Sequence, residues 1–301
     1  MLDVVVIGGG PAGMSAALVA GRGRKQVLLI DEEQPRNRVT QESHAFLTRD
    51  GVSPEQFREK GRRDLSRYPT IKVENTKIIS IDPKPDHTFE LTKSSGEILM
   101  TQSILLATGF KETLPVINNI EAYYGKSLFS CPFCDGWEMK DQSLILIIDS
   151  KEGAHLPILL KNWTDNLIVA TNGIDVFDDQ QKKALELNQI PLIEKEIVEL
   201  RGDNGLLQSV VFEDGEEINR TGGFCTPTMD RNFPFIKQLG IKVSETGFVV
   251  TDTMGHTNIK GVYAAGEITG PSQLIVSASQ GHMAGIGIIA DSSAASYKKT
   301  K

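Results

Sequence analysis

The chain has 301 residues and a mass of 33.0 kDa, enough for two domains that each bury a core of their own. Apolar residues make up 40% and charged residues 24%, a balance that excludes a disordered or fibrous chain. A net charge of -7 and a pI near 5.4 argue against nucleic acid or an anionic membrane as the main partner, since both require concentrated Lys and Arg.

The opening stretch carries an acid at Asp3 and runs directly into a β-branched strand, Val4 to Ile7. It lacks the basic region and cleavage site of a secretory signal, so the expected location is the cytoplasm. A glycine turn follows, then a helical pattern from Pro11 to about Gly21, then a second apolar run, Val27 to Ile30. This is the β-α-β opening of a doubly wound sheet. Residues 36–51 read as a polar loop, 54–67 as a charged helix, and 72–91 as strands around a Pro83–Pro85 turn. Ser103 to Ala107 forms another buried strand, ending at Thr108 and Gly109.

A second unit begins near Lys111. Its strand Leu144 to Ile148, helix from about Gly153, strand Leu167 to Ala170 and later hairpin-like runs repeat the β-α-β plan. The chain returns to a strand around Gly247 to Asp252, a small-residue strand end at 261–266, and a C-terminal helix from about Ser277. The stretch from Gln273 to Ala290 is broken by His282 and by Gly, Ser and Gln, which makes it a poor membrane span. The predicted organisation is α/β: two FAD/NAD(P)-type Rossmann-like three-layer domains, one at 1–111 and 243–301, the other inserted at 112–242.

Gly8, Gly10 and Gly13 form G-x-G-x-x-G directly after a strand and at the head of a helix. The first glycine permits the tight turn, the second lets a pyrophosphate approach the backbone, and the third allows close helix–strand packing. Asp31 closes the second strand, where a carboxylate can bind a ribose hydroxyl. Together these define a dinucleotide site without choosing between FAD and NAD. Far along the chain, Gly261 to Glu267 adds the small-residue strand end and carboxylate that an extended flavin dinucleotide needs for its ribityl chain. The helix near Ser277 and Ala278 could aim its positive end at the flavin pyrimidine.

Only three cysteines occur, and Cys131 and Cys134 form a C-x-x-C, a pairing that suggests redox or metal chemistry. A zinc site would have to be improvised from Cys225 and His155, so redox is favoured. A C-x-x-C at a helix start can form a small disulfide with a lowered N-terminal thiol pKa, and Asp135 could carry the proton that thiolate departure requires. Cys225, in an apolar strand, reads as an inert core thiol.

Gly8 to Gly13, Ala107-Thr108-Gly109, Cys131-Pro132-Phe133-Cys134-Asp135-Gly136 and Gly261 to Glu267, in this order and spacing, resemble the low-molecular-weight thioredoxin reductases and their relatives. The resemblance covers nearly the whole chain. It implies FAD as cofactor, with Cys134 contacting flavin C4a, Cys131 exchanging with the substrate and Asp135 as general acid. The expected cofactor-binding set is Gly8, Gly10, Pro11, Ala12, Gly13, Asp31, Arg38, Thr40, Ile78, Thr108, Gly109, Gly266, Glu267, Ser277 and Ala278. A thioredoxin-like protein or small dithiol as substrate, a homodimer and a rotating inserted domain are further implications. Glu267 stands where the family usually has Asp.

One departure bears on function. The middle domain of that family carries a second glycine motif for NADPH, but here the turn reads Ile148-Asp149-Ser150-Lys151-Glu152-Gly153-Ala154. Only Gly153 survives of the three glycine positions, and Asp149 and Glu152 put negative charge where pyrophosphate would sit. At the end of the next strand, Ala170-Thr171-Asn172-Gly173 offers no arginine for a 2′-phosphate. The expectation is an enzyme without NADPH recognition. It could be a dithiol oxidase using oxygen, or a reductase fed by ferredoxin or flavodoxin; the alternatives are a conventional NADPH-dependent reductase and a flavin-binding sensor without catalysis. The run Asn37-Arg38-Val39-Thr40 through His44, with Trp137-Glu138, also resembles relatives that close disulfides in dithiol natural products. His44 itself reads as a surface-loop histidine without a catalytic role, with a base near the flavin as the other reading.

Overall fold

The computed structural model describes residues 1–230 and 234–299. In chain order its elements are β1 (Leu2–Ile7), α1 (Pro11–Arg22), β2 (Val27–Asp31), α2 (Pro54–Leu65), β3 (Ile71–Asn75), β4 (Ile78–Pro83), β5 (Phe89–Lys93), β6 (Ile98–Leu106) and β7 (Lys111–Thr113). There follow α3 (Ile120–Tyr123), β8 (Leu128–Phe129), α4 (Pro132–Asp135), β9 (Leu144–Ile147), α5 (Leu156–Leu160), β10 (Leu167–Ala170), α6 (Asp179–Leu187), β11 (Leu192–Ile193), β12 (Ile197–Asp203) and β13 (Leu206–Phe212). The last are β14 (Glu217–Asn219), β15 (Gly222–Cys225), β16 (Thr228–Asp230), α7 (Pro234–Leu239), β17 (Val262–Ala264) and α8 (Leu274–Lys299).

The chain divides into two compact units. The first comprises Met1–Arg38, Pro54–Lys111 and the described part of Asp230–Lys301. Its seven-stranded sheet runs β3-β2-β1-β6-β5-β4, with β17 also paired to β6. β1 lies parallel between β2 and β6, in register Val4↔Val27 and Val4↔Ser103, while β4, β5 and β6 are antiparallel. Alternation sorts the strand residues onto two buried faces. Val5, Ile7, Leu28, Ile30, Ile104 and Leu106 join one apolar cluster; Val4, Val6, Leu29 and Leu105 join another with Ala16, Ala17 and Ala20 of α1 and Ala284 and Ile288 of α8. A strand buried on both faces reads as a continuous apolar run, which is why β1 and β2 were visible in the sequence. A Cβ at Gly281 would collide with the Ala12 carbonyl, so α8 lies directly on α1.

The second unit comprises Val39–Ser53 and Glu112–Met229. Its five-stranded sheet, β11-β10-β9-β15-β8, is parallel throughout. One face (Ile145, Ile147, Ile168, Ala170) packs on the three-stranded antiparallel sheet β12-β13-β14 through Leu200, Leu207, Val210 and Phe212. The other (Leu144, Leu146, Ile148, Leu167, Val169) packs on Leu160 of α5, Phe177 and Leu185 of α6. Each such side chain taken from water contributes about 1.5–3 kcal/mol.

Several elements differ from the sequence expectation. The unit division falls at 230 instead of 243, because α7 places Phe235, Ile236 and Leu239 in the first unit's core and Gln238 donates to the Ile81 carbonyl at 2.9 Å. Residues 39–53, expected with the first domain, group with the second, where a Cβ at Gly125 would collide with the Val39 carbonyl. The helix expected from Gly153 is a 3-10 turn, Lys151–Gly153, followed by the five-residue α5. Gly247 to Asp252 forms no strand, only an isolated bridge between Val243 and Val249. Asp252 Oδ1 instead accepts from the amides of Met254 and His256, which turns the chain. Among the described residues no helix is long and apolar enough to cross a membrane.

Candidate functional site

The glycine loop leaves β1 at Ile7 with Gly8 at φ 111°, and the Gly8 amide donates to the Ile30 carbonyl at 2.8 Å. A Cβ at Gly8 would collide with the Ala107 carbonyl, one at Gly9 with the Asp31 carboxylate, and one at Gly13 with the Gly8 carbonyl. At Gly10 a Cβ would meet nothing within 4 Å. The protein itself fills the space around three of these glycines and leaves the fourth open. Beyond it α1 begins at Pro11 with no side-chain cap, so its first-turn amides are left for an anion. Such a cradle fits the pyrophosphate of a dinucleotide.

The remaining expected cofactor residues gather at the carboxyl ends of the parallel strands, where ligands of open α/β sheets bind. Asp31 ends β2 and pairs with Arg62 at 3.1 Å. Thr108 is exposed just past β6, and Gly109, at φ 62°, would carry a Cβ 3.7 Å from Glu267 Oε2. Gly266, at φ 81°, would bring a Cβ to 2.9 Å from that of Ala12 and 3.7 Å from Ser277 Oγ. Its amide donates to Gln280 Oε1 at 2.9 Å. Ser277 is buried and pairs with Ser272 Oγ at 2.6 Å; Ala278, next along α8, is half-buried.

Three members of the set lie otherwise. The Ile78 side chain is 2% exposed and committed to the core, so only its backbone could serve a ligand. Arg38 is exposed and donates to the Pro35 carbonyl at 3.2 Å. Thr40 falls in the second unit. Sequence reasoning missed Gly9, Gln280 and Arg36, whose guanidinium holds Glu267 Oε1 at 2.7 Å and lies over the Phe110 ring at 4.9 Å. The longer Glu267 side chain is thus fixed from within its own unit.

In the second unit, Cys131 and Cys134 are closed as a disulfide with Cα atoms 5.3 Å apart. Cys131 is the extended N-cap of the one-turn α4, with Pro132 at the first helical position. The amides of Cys134 and Asp135 donate to the Cys131 carbonyl at 3.0 and 3.1 Å, so the turn holds the two sulfurs together. Both cysteines are half-buried. Phe133 is 58% and Trp137 67% exposed beside them; Phe133 meets Trp163 edge-on at 6.0 Å and Lys140 Nζ lies 3.4 Å over the Trp137 ring. Gly136 is the residue on which Trp163 packs, its Cβ position only 2.7 Å from that ring.

Asp135, the residue after the disulfide, is 8% exposed. Burial, reinforced by the Glu138 charge and opposed by His44, pushes its carboxyl up to about 7. Cys225 is fully buried and burial raises its thiol well above the usual range, matching an inert core residue. Tyr124 OH donates to Glu112 Oε1 at 2.7 Å and meets Ser130 Oγ at 3.1 Å, one residue before the disulfide.

The second β-α-β turn has a different shape from the first. After β9, Ile148 is fully buried and burial raises the Asp149 carboxyl above the usual carboxylate range. A Cβ at Gly153 would meet Thr226 Cγ2 at 2.6 Å. No long helix points its amino end at this turn. Past β10, Asn172 and Gly173 turn the chain at φ 51° and 76°, and Asn172 Oδ1 accepts from the Ile197 amide at 2.9 Å. Nearby Lys182 pairs with Glu194 at 2.6 Å, and Lys195 pairs with Glu216 at 2.8 Å.

The sequence and fold match known proteins over most of their length. The family of pyridine nucleotide-disulphide oxidoreductases matches residues 2–153 and 166–281. The crystal structure of a putative thioredoxin reductase TrxB from Bacillus anthracis is 44% identical, covering 97% of this chain and 99% of that one, with a TM-score of 0.93. A probable thioredoxin reductase of Arthroderma benhamiae is 35% identical over 178 residues, which are 58% of this chain and 44% of that protein. Thioredoxin reductase sirT of Leptosphaeria maculans is 29% identical over 305 residues, 96% of this chain and 93% of that protein. The fold and the disulfide site are those of a flavoprotein disulfide oxidoreductase, and the chain belongs to the pyridine nucleotide-disulphide oxidoreductase family. Within it the chain is an FAD-dependent disulfide oxidoreductase of the thioredoxin reductase type.

Proposed function

We propose that this enzyme passes two electrons between an external dithiol, the Cys131–Cys134 disulfide and FAD, without NADPH. The observation that carries the reading is the second β-α-β turn. Its glycine positions are taken by the buried Ile148 and by Ser150, its acids stand where phosphate would lie, and the helix behind it is only five residues long. A phosphate there would face Asp149 and Glu152 instead of open amides.

FAD would be held by the Gly8–Gly13 cradle, Asp31, Thr108, Gly109, Gly266 and the start of α8. When bound it supplies a two-electron acceptor for the reduced pair and passes those electrons to an outside acceptor, oxygen in the simplest scheme. The residues of the second unit perform the thiol chemistry. A substrate thiolate attacks Cys131 Sγ, the bond to Cys134 breaks, and Cys134 leaves with the electron pair. Asp135 stands ready to give that sulfur its proton. The second substrate thiolate then attacks the substrate sulfur of the mixed disulfide and releases Cys131. The substrate has lost two electrons and two protons, and the pair has gained them.

With its carboxyl at about 7, Asp135 is divided between acid and base near neutrality, which suits proton transfer in both directions. The exposed rings of Phe133 and Trp137 suit a small apolar dithiol or the apolar rim around the dithiol of a thioredoxin-like protein. We read the assembly as a homodimer, on the family likeness. The test is aerobic: dithiothreitol should be oxidised with release of peroxide by the wild-type protein and not by Cys134→Ser. Rapid oxidation of NADPH by the wild-type protein with thioredoxin would restore a conventional reductase and overturn the reading.

A further inference from the structure

The loop at 39–53 carries a histidine into the disulfide unit. Ser43 and Val52 pair across it, the Gly51 amide donates to the Ser43 carbonyl at 3.0 Å and the Arg49 amide to the Phe46 carbonyl at 2.8 Å. Ala45 sits at φ 59°, a conformation that costs an alanine roughly 1–2 kcal/mol. Its amide is held there by Asp50 Oδ1 at 2.8 Å. The loop is therefore a fixed support for the residue between Ser43 and Ala45.

That residue, His44, has a side chain only 17% exposed, and carboxylates face both of its ring nitrogens. Nδ1 is 3.7 Å from Asp50 Oδ1, and Nε2 is 3.7 Å from Glu42 Oε2 and 3.6 Å from Glu138 Oε1. Glu42 and Asp50 belong to the loop itself. Glu138 belongs to the segment that follows the disulfide, three residues after Asp135, and its side chain is 39% exposed. The charged groups that bear on Asp135 are Glu138 and His44, with opposite signs. An ion pair placed beside a buried acid can tune it from either side, since removing one partner leaves the other uncompensated.

We propose that His44 and Glu138 act as positioning residues for the proton on Asp135: loop 39–53 delivers the histidine, and the pair decides when Asp135 holds or releases its proton to the leaving sulfur. Glu138, the exposed member, also connects the buried carboxyl to solvent. The inference rests on the proposed role of the Cys131–Cys134 pair and Asp135 in dithiol turnover.

The test uses the FAD-loaded protein and dithiothreitol, with anaerobic flavin bleaching followed across a pH series for wild type, Glu138→Gln and His44→Gln. Because the dithiol is the same throughout, differences between proteins report on the protein. Loss of the Glu138 charge is expected to move the transition assigned to Asp135 to lower pH by roughly 0.5–1 unit, and loss of His44 to move it to higher pH by a similar amount. A substitution that merely loosened the loop would lower the rate at every pH without moving the midpoint. Glu138→Gln changes a partly exposed side chain with little change of shape, so it decides the matter alone if His44→Gln fails to fold. Midpoints that stay at the wild-type value, or that move in the same direction, overturn the proposal. A wild-type protein that dithiothreitol does not bleach, or one whose bleaching survives Cys134→Ser, counts instead against the underlying function.

Discussion

At the scale of single residues, Asp135 shows how a proton donor is made at the expense of stability. Burial is the main cause of its raised carboxyl, so the folded state resists the charged form while the unfolded chain ionises near 3.8. The sign follows: the penalty is absent below the unfolded value, grows as the pH rises through it, and is complete above about 7. Asp135→Asn should therefore stabilise the fold at alkaline pH, by up to about 4 kcal/mol, and slow dithiol-driven flavin reduction by roughly 10²–10⁴-fold. Thermal unfolding and stopped-flow bleaching on the same variant check both halves. The glycine loop allows a second contrast. Gly13→Ala drives a methyl into the Gly8 carbonyl and should destabilise the protein, whereas Gly10→Ala meets no protein atom within 4 Å and should fold yet lose its yellow colour on gel filtration.

Among the elements, α6 has the clearest local code. Asp178 Oδ1 accepts from the Gln181 amide at 2.8 Å while Gln181 Oε1 accepts from the Asp178 amide at 2.9 Å, a reciprocal cap that was present in the sequence and overlooked. Asp178→Ala should cost about 1 kcal/mol in denaturant unfolding. In the first unit His256 links the turn at Asp252 to α8, with Nδ1 2.8 Å from Asp252 and Nε2 3.2 Å from Asp291. Tyr263 OH donates to the same Asp291 oxygen at 2.7 Å. Burial opposes the charged ring, but the hydrogen bond to Asp252 and the two aspartate charges outweigh it, so the folded pKa lies above 6.5. This contribution is full below 6.5 and is lost as pH rises through the folded value. Since the ring is largely exposed, its worth is held below about 1 kcal/mol by screening. His256→Ala should lower the melting temperature more at mildly acidic pH than at alkaline pH; an equal loss at both would mean the ring contributes by packing alone.

For the whole molecule, what was legible in advance was what depends on local pattern. β1, β2, β9 and β10 announce themselves because strands covered on both faces must be apolar throughout. Gly8, Gly10 and Gly13, and the C-x-x-C with its following acid, are chemistry written at fixed spacing. Gly9 was missed because its constraint comes from Asp31, twenty-two residues away. Arg36 was missed because its partner Glu267 lies at the other end of the chain. The grouping of residues 39–53 with the disulfide unit was hidden for the same reason: a polar loop without periodicity gives no sign of the unit it joins. The false strand at 247–252 came from apolar residues that Asp252 turns aside.

The central claim is that dithiols, and not nicotinamides, reduce this flavoprotein through Cys131 and Cys134. Its most direct test is to mix the oxidised, FAD-loaded protein anaerobically with dithiothreitol, NADPH or NADH while following the flavin absorbance. Prompt bleaching by dithiothreitol with no prompt bleaching by either nicotinamide is the predicted result. Prompt bleaching by NADPH, or none by dithiothreitol, would contradict it.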